Sequence, residues 1–153
     1  METLFLITYG NGDFFDINKF RPIKNDLYCN KPNGGLWASP INSTYSWKDW
    51  CIENEFGDLS SNFKFTITGN IFKITNQNSF NQLPLVSEEI SGYSIIIVSA
   101  LYNNQLIDFE TATNSGIDAI WLTEDAIRCR EVHGWDCESV LILNPNCIQV
   151  SNM

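Results

Sequence analysis

The sequence predicts an α+β domain with largely antiparallel sheets and few, short helices. About six to eight short apolar segments are bounded by turn residues, which is typical of strands. Helix signals are confined to short stretches that follow Ser46, Pro84 and Thr123. A set of short strands with few helices is the pattern of an α+β fold.

The length and composition indicate one folded domain over residues 1–153. The chain is 44% hydrophobic and 13% aromatic, so it can build a core. Its net charge of -9 argues against general nucleic-acid binding and against an anionic membrane surface, because both need basic residues. The acids are scattered, which leaves two interpretations: solubility, or mimicry of a nucleic acid that competes for a basic groove.

The cysteines and the apolar segments indicate a cytoplasmic protein with no membrane contact. The five cysteines are odd in number, widely spaced and without a CxxC pair, which is typical of reduced thiols. The start of the chain lacks the basic region of a signal peptide. No window approaches the roughly 20 apolar residues of a membrane span.

The first third of the chain predicts two strands and a helix. Residues 4–9 form an apolar run closed by a glycine turn, and residues 36–39 form a brief strand between Asn33-Gly34-Gly35 and Pro40. Ser43 or Ser46 can cap a helix through Phe56, which Gly57 ends. Its tryptophans and Cys51 share one face, for which core packing is the simplest explanation.

The rest of the chain predicts a hairpin and three further strands. Residues 63–74 alternate apolar and polar side chains around a turn at Gly69, which is the clearest hairpin signal. Residues 116–122 and 140–143 are apolar runs that predict buried strands, and residues 148 and 150 extend the last one as an edge. Residues 94–100 are a buried strand or a buried helix turn, and their β-branched composition favours the strand.

Most catalytic motifs are absent from the sequence. There is no phosphate-binding loop, no dinucleotide-binding glycine pattern and no HExxH. The only histidine, His133, stands four residues from both Cys129 and Cys137, but Gly134 interrupts any shared helix face and no fourth ligand is evident. We therefore predict no metal site.

A pair of acids before the last strong strand is the best remaining candidate for chemistry. Glu138 enters an otherwise apolar strand, where it is either an exposed strand-start residue or a carboxylate at the edge of a cleft. Asp136 lies two residues earlier, so on a strand both acids would face the same side. The two acids of such a pair can have different pKa values, and a carboxylate of the pair can stabilise a cationic sugar.

Three stretches, in this order, resemble the ADP-ribosyltransferase superfamily, the fold of diphtheria-toxin-type and poly(ADP-ribose) polymerase catalytic domains. The first is the strand ending in Thr8-Tyr9-Gly10, where Tyr9 stands in place of the family's usual histidine. The second is the glycine turn and strand at residues 35–39, followed by a helix with aromatics. The third is the segment 136–145, in which Glu138 opens a strand.

The resemblance implies a split, two-sheet domain that binds NAD+ as co-substrate and transfers ADP-ribose to a protein or nucleic-acid acceptor. Glu138 would stabilise the cationic ribose, and Asp136 would engage the acceptor. Trp37 and Tyr45 would stack on the nicotinamide ring. The cofactor-binding positions that the resemblance assigns are Thr8, Tyr9, Gly10, Gly35, Leu36, Trp37, Ser39 and Tyr45.

Three functions are therefore open at the level of sequence. The first is a small cytoplasmic ADP-ribosyltransferase of phage, mobile-element or toxin type. The second is a catalytically silent module on the same fold that binds NAD+, a nucleotide or a protein. The third is an acidic inhibitor that mimics nucleic acid.

Overall fold

The computed structural model describes residues 1–26, 29–86, 106–129, 132 and 134–149. Within them the strands are β1 (Glu2–Tyr9), β2 (Leu36–Pro40), β3 (Asn62–Gly69), β4 (Ile71–Ile74), β5 (Ala119–Leu122), β6 (Ser139–Ile142) and β7 (Ile148–Gln149). The α-helices are α1 (Trp47–Asn54), α2 (Gln77–Phe80) and α3 (Phe109–Asn114). Short 3-10 helices lie at Ile17–Lys19, Glu124–Ala126 and Pro145–Cys147.

The strands form one mixed sheet in the order β4-β5-β6-β2-β1-β3-β7. Neighbouring strands are antiparallel throughout, except that β4 and β5 are parallel. The predicted α+β class with largely antiparallel pairing and few, short helices is confirmed. The sheet order also places the three stretches singled out in the sequence on adjacent strands, because β2 lies between β1 and β6.

The predicted hairpin over residues 63–74 is wrong. Both of its strands form, but β3 pairs with β1 and β7, whereas β4 pairs with β5 in the other half of the sheet. A single residue, Asn70, joins the two strands. Its N–H donates to the carboxylate of Asp118 at 2.8 Å, and its carbonyl accepts from the Asp118 N–H at 2.9 Å. Because common hairpins need at least two connecting residues, this one-residue link redirects the chain and does not close a turn.

Strands from both halves of the sheet contribute to one buried cluster. Leu6 and Ile67 from one half lie in the same buried cluster as Ala119 and Val140 from the other. Alternate residues of β6 point to opposite faces, and Leu141 belongs to a second cluster. That second cluster also contains Phe80 of α2 and Phe109 of α3, so these helices cover the other face. β6 is buried along its whole length as a result.

Helix α1 begins as predicted and ends earlier than predicted. Ser46 and Asp49 form a reciprocal capping box at its start. The helix ends at Asn54, because Glu55 adopts the left-handed conformation with φ of 50°. Phe56, which was expected inside the helix, therefore lies beyond it.

Some predictions concern residues that the structure leaves undescribed. The apolar run 94–100 and His133 lie outside the described residues, as does position 150 of the predicted edge strand. The part of the chain that is described contains no helix long and apolar enough to cross a membrane.

Candidate ligand-binding site

A cavity of about 250 Å³ opens where β1, β2 and β6 lie side by side. Ile7 pairs with Ser39 across β1 and β2, and Trp37 pairs with Leu141 across β2 and β6, so these registers bring the three stretches together. The lining residues come from β1 and its following turn, the loop before β2, β2, α1, the segment before β6 and the start of β6: Ile7, Thr8, Tyr9, Asn11, Lys31, Trp37, Ala38, Trp47, Gly134, Trp135, Asp136, Cys137 and Ser139.

The walls of the cavity are largely aromatic. The rings of Trp37 and Trp135 meet edge to face, with centroids 4.7 Å apart. The Trp135 indole N–H donates to the buried backbone carbonyl of Asn30 at 2.6 Å, which holds its ring in place. Tyr9 and Trp47 complete the aromatic lining. Such a cavity suits a planar ring, because the faces and edges of several aromatic side chains are available for stacking.

Two opposite charges line the same cavity. The Lys31 ammonium lies 3.9 Å from the Asp136 carboxylate, and both side chains are partly exposed. A pair this accessible is held only weakly, since solvent screens its attraction. Both groups are therefore available to a ligand that carries charge.

Two of the polar residues predicted to bind a cofactor hold the framework of the site. The buried Thr8 hydroxyl donates to the Trp37 carbonyl at 2.8 Å and accepts from the Asn11 amide at 2.7 Å. The buried Ser39 hydroxyl accepts from the Trp47 N–H at 3.1 Å. That N–H lies in the first turn of α1, where it has no partner within the helix. Thr8 lines the cavity, and Ser39 anchors the helix beside it.

The two acids that precede β6 are separated by the structure. Residues 137 and 138 form a bend before the strand begins at Ser139, so the alternation expected of a strand does not apply to the two acids. Asp136 lines the cavity, whereas Glu138 lies outside its lining. Glu138 as a whole is 8% exposed. Its carboxylate accepts a hydrogen bond from the indole N–H of Trp121, on β5, at 2.9 Å.

Burial raises the pKa of the Glu138 carboxyl above its ordinary value, against the lowering effect of the Trp121 hydrogen bond. The nearby acids Glu124 and Asp125 raise the pKa further. An acid whose pKa is raised by burial beside a cavity is a common feature of functional sites.

We expect Glu138→Gln to gain stability relative to the wild type as the pH rises. The folded protein binds a proton on the Glu138 carboxyl more tightly than the unfolded chain does. The stabilisation that comes from protonated Glu138 is therefore lost as the pH rises from 4.5, the ordinary pKa of a glutamate, through the raised pKa of the folded state. Glutamine carries no charge to bury. Urea unfolding of both proteins between about pH 4 and pH 7 measures the difference. Parallel stability profiles would contradict the assignment, and Glu55→Gln, at an exposed site, controls for the change in net charge.

The remaining predicted residues lie around the cavity and not in its lining. The Tyr45 hydroxyl donates to Glu53 at 2.5 Å, which raises the pKa of Tyr45 to about 12, and its carbonyl accepts from the Glu138 N–H. Gly10, Gly35 and Leu36 line a second cavity of about 320 Å³, which adjoins the first at Asn11.

Several lining residues were not among those predicted from the sequence. Trp135 directly precedes Asp136, a predicted site residue. That position in the sequence is the one signal that could have identified Trp135 as part of the site. Trp47 was assigned to core packing, although its helix directly follows residues 35–39, the second of the three stretches that resemble the superfamily. Lys31 and Asn11 carry no sequence signal of their own, because only the sheet pairing brings them to the site.

Comparison with known proteins adds no assignment to this geometry. The chain matches no protein-family model, no curated protein and no solved structure. Across the described residues, no group of three or more histidine, cysteine, aspartate or glutamate side chains is arranged to hold a metal ion.

Proposed function

We propose that this protein binds NAD+, with the nicotinamide ring in the aromatic cavity between β1, β2 and β6. The observation that carries the proposal is the convergence of Tyr9, Trp37, Trp47 and Trp135 with one carboxylate, Asp136, in a single cavity. The oxidised nicotinamide ring is planar and cationic. Aromatic faces attract such a cation, and the Asp136 carboxylate, which is only weakly paired with Lys31, can complement its charge.

The size of the cavity limits which part of the dinucleotide it can hold. Sites for drug-sized ligands occupy roughly 300–1,000 Å³. At about 250 Å³ the cavity suits one ring and part of its ribose. The rest of the molecule extends towards the second cavity, where Lys19, which lies beside Asp16 in the lining, is a cation that can pair with a phosphate.

We expect titration calorimetry to show one NAD+ site per chain. NADH should bind about tenfold more weakly, because its reduced ring is uncharged and loses the cation–π attraction. AMP, which lacks the nicotinamide, tests whether the ring is needed. Absence of NAD+ binding, or equal affinity for NAD+ and NADH, would reject the proposal.

ADP-ribosyl transfer is the second candidate function, and the position of Asp136 favours it. This acid lies in the lining of the cavity, whereas the Glu138 carboxylate lies outside it and accepts from Trp121. In the transfer, the bond between the ribose carbon and nicotinamide breaks with its electron pair on nicotinamide. A nucleophile of the acceptor bonds to that carbon and releases a proton. Carboxylates near the sugar stabilise the positive charge that develops on it.

Release of nicotinamide from NAD+ distinguishes transfer from binding alone, since water can serve as acceptor. We expect release by the wild type, and release slower by about tenfold or more in Asp136→Asn, because that variant loses a charge in the cavity. Glu138→Gln should slow release less, because its carboxylate lies outside the lining. NAD+ binding with no release would reject the transferase and keep the silent binding module. Thermal denaturation of each variant confirms that it is folded.

A further inference from the structure

Helix α1 and the turn after it carry an aromatic face, of which the nicotinamide proposal uses only Trp47. Trp47 and Trp50 stack with centroids 5.1 Å apart and ring planes 13° apart, and Phe56 packs edge-on against both. Phe56 is 58% exposed, and Cys51 is the only buried residue of the helix. We call Trp47, Trp50 and Phe56 the α1 aromatic face. Trp47 and Trp50 are half-buried, so part of each tryptophan ring adjoins the exposed Phe56 ring. Adjoining apolar surface of this kind is a feature of interaction sites.

The residues around this face are mainly acidic. The segment 46–60 contains four exposed acids and one exposed lysine, Lys48. The acids are Asp49, Glu53, Glu55 and Asp58. Since the whole chain carries a net charge of -9, the acidic rim is reinforced by the field of the rest of the protein.

We propose that the α1 aromatic face binds a cationic segment of another protein, with arginine or lysine side chains against the tryptophan rings. Tryptophan is the best aromatic partner for a cation, and the acidic rim attracts the same charge. Nucleic acid is disfavoured, because its phosphates would face these acids.

The chain itself is a poor source of this segment. A second copy carries the same net charge of -9 and would be repelled. Residues 87–105 of the same chain are also unsuited to this face, because their sequence contains two glutamates and neither lysine nor arginine. A different, basic protein is therefore the partner that fits the charge of this face.

Titration of the full-length protein with a short peptide of alternating arginine and glycine tests this proposal. The comparison peptide carries citrulline in place of arginine, which keeps the shape and removes the charge. No nucleotide is present, so the outcome does not depend on the NAD+ proposal. At about 0.15 M salt we expect the citrulline peptide to bind about tenfold more weakly than the arginine peptide.

Variants of the face locate the binding. Trp50→Ala and Phe56→Ala should each weaken binding of the arginine peptide by about fivefold or more. Phe14→Ala is the matched control, because Phe14 is 68% exposed and lies outside the face. No binding of the arginine peptide, or equal binding by wild type, Trp50→Ala and Phe56→Ala, would overturn the proposal. Tighter binding of a single-stranded oligonucleotide than of the peptide would overturn it as well.

Discussion

Replacing Trp37 with alanine is expected to weaken NAD+ binding by roughly 30-fold or more, which corresponds to about 2 kcal/mol. Trp37 forms one wall of the cavity and supports a second, because the Trp135 ring packs edge-on against it. The substitution removes the stacking surface of one ring and frees the other to move. Calorimetric titration of NAD+ measures the loss directly.

Two further variants show whether this loss comes from the cavity. Trp37→Phe keeps an aromatic ring and should retain most of the affinity. Phe5→Ala removes an aromatic side chain from the neighbouring strand, but Phe5 is 63% exposed and outside the cavity, so affinity should not change. Unchanged binding in a folded Trp37→Ala protein would show that the ligand lies elsewhere.

Replacing Gly34 with alanine is expected to lower the free energy of unfolding by about 3 kcal/mol or more. Gly34 has a φ of 81°, which costs a side-chain-bearing residue conformational energy. An added Cβ would also overlap the carbonyl oxygen of Pro22 and lie 2.7 Å from that of Arg21. Both obstacles are backbone atoms, so a side-chain rotation cannot relieve the clash. Urea unfolding measures the change from the shift in midpoint.

Gly116→Ala separates the cost of the conformation from the cost of the clash. Gly116 has a φ of 99°, yet an added Cβ would meet no atom within 4 Å. This variant should lose only about 1–2 kcal/mol, from the backbone conformation. Equal losses in the two variants would show that crowding at the turn before β2 contributes nothing.

Local patterns in the sequence located the strands that the structure describes and the start of α1, but they missed α2 and α3. The apolar runs beside Gly10 and Pro40 are β1 and β2, and the cap at Ser46 begins α1. These predictions succeeded because strand and helix signals depend on residues that are close together in the chain. The partners of β3 and β4 could not be obtained in this way, since the contacts of Asn70 with Asp118 join distant residues.

The candidate site was predictable in part. Thr8, Tyr9, Trp37 and Asp136 were chosen from three separate stretches, and they line one cavity. The place of Glu138 outside that lining was not predictable, because a bend precedes β6 and the side chain turns to Trp121. Tyr45 likewise directs its hydroxyl to Glu53, a partner on the following helix.

By itself, the sequence determined which segments are strands, where α1 begins and which aromatic and acidic residues are available for a site. Apolar periodicity and capping chemistry act over a few residues, so they are visible in the chain without its fold. Only the tertiary structure decided the sheet order, the core shared by both halves of the sheet and the separation of Asp136 from Glu138. Those features follow from burial and pairing between distant segments, which the order of residues does not specify locally.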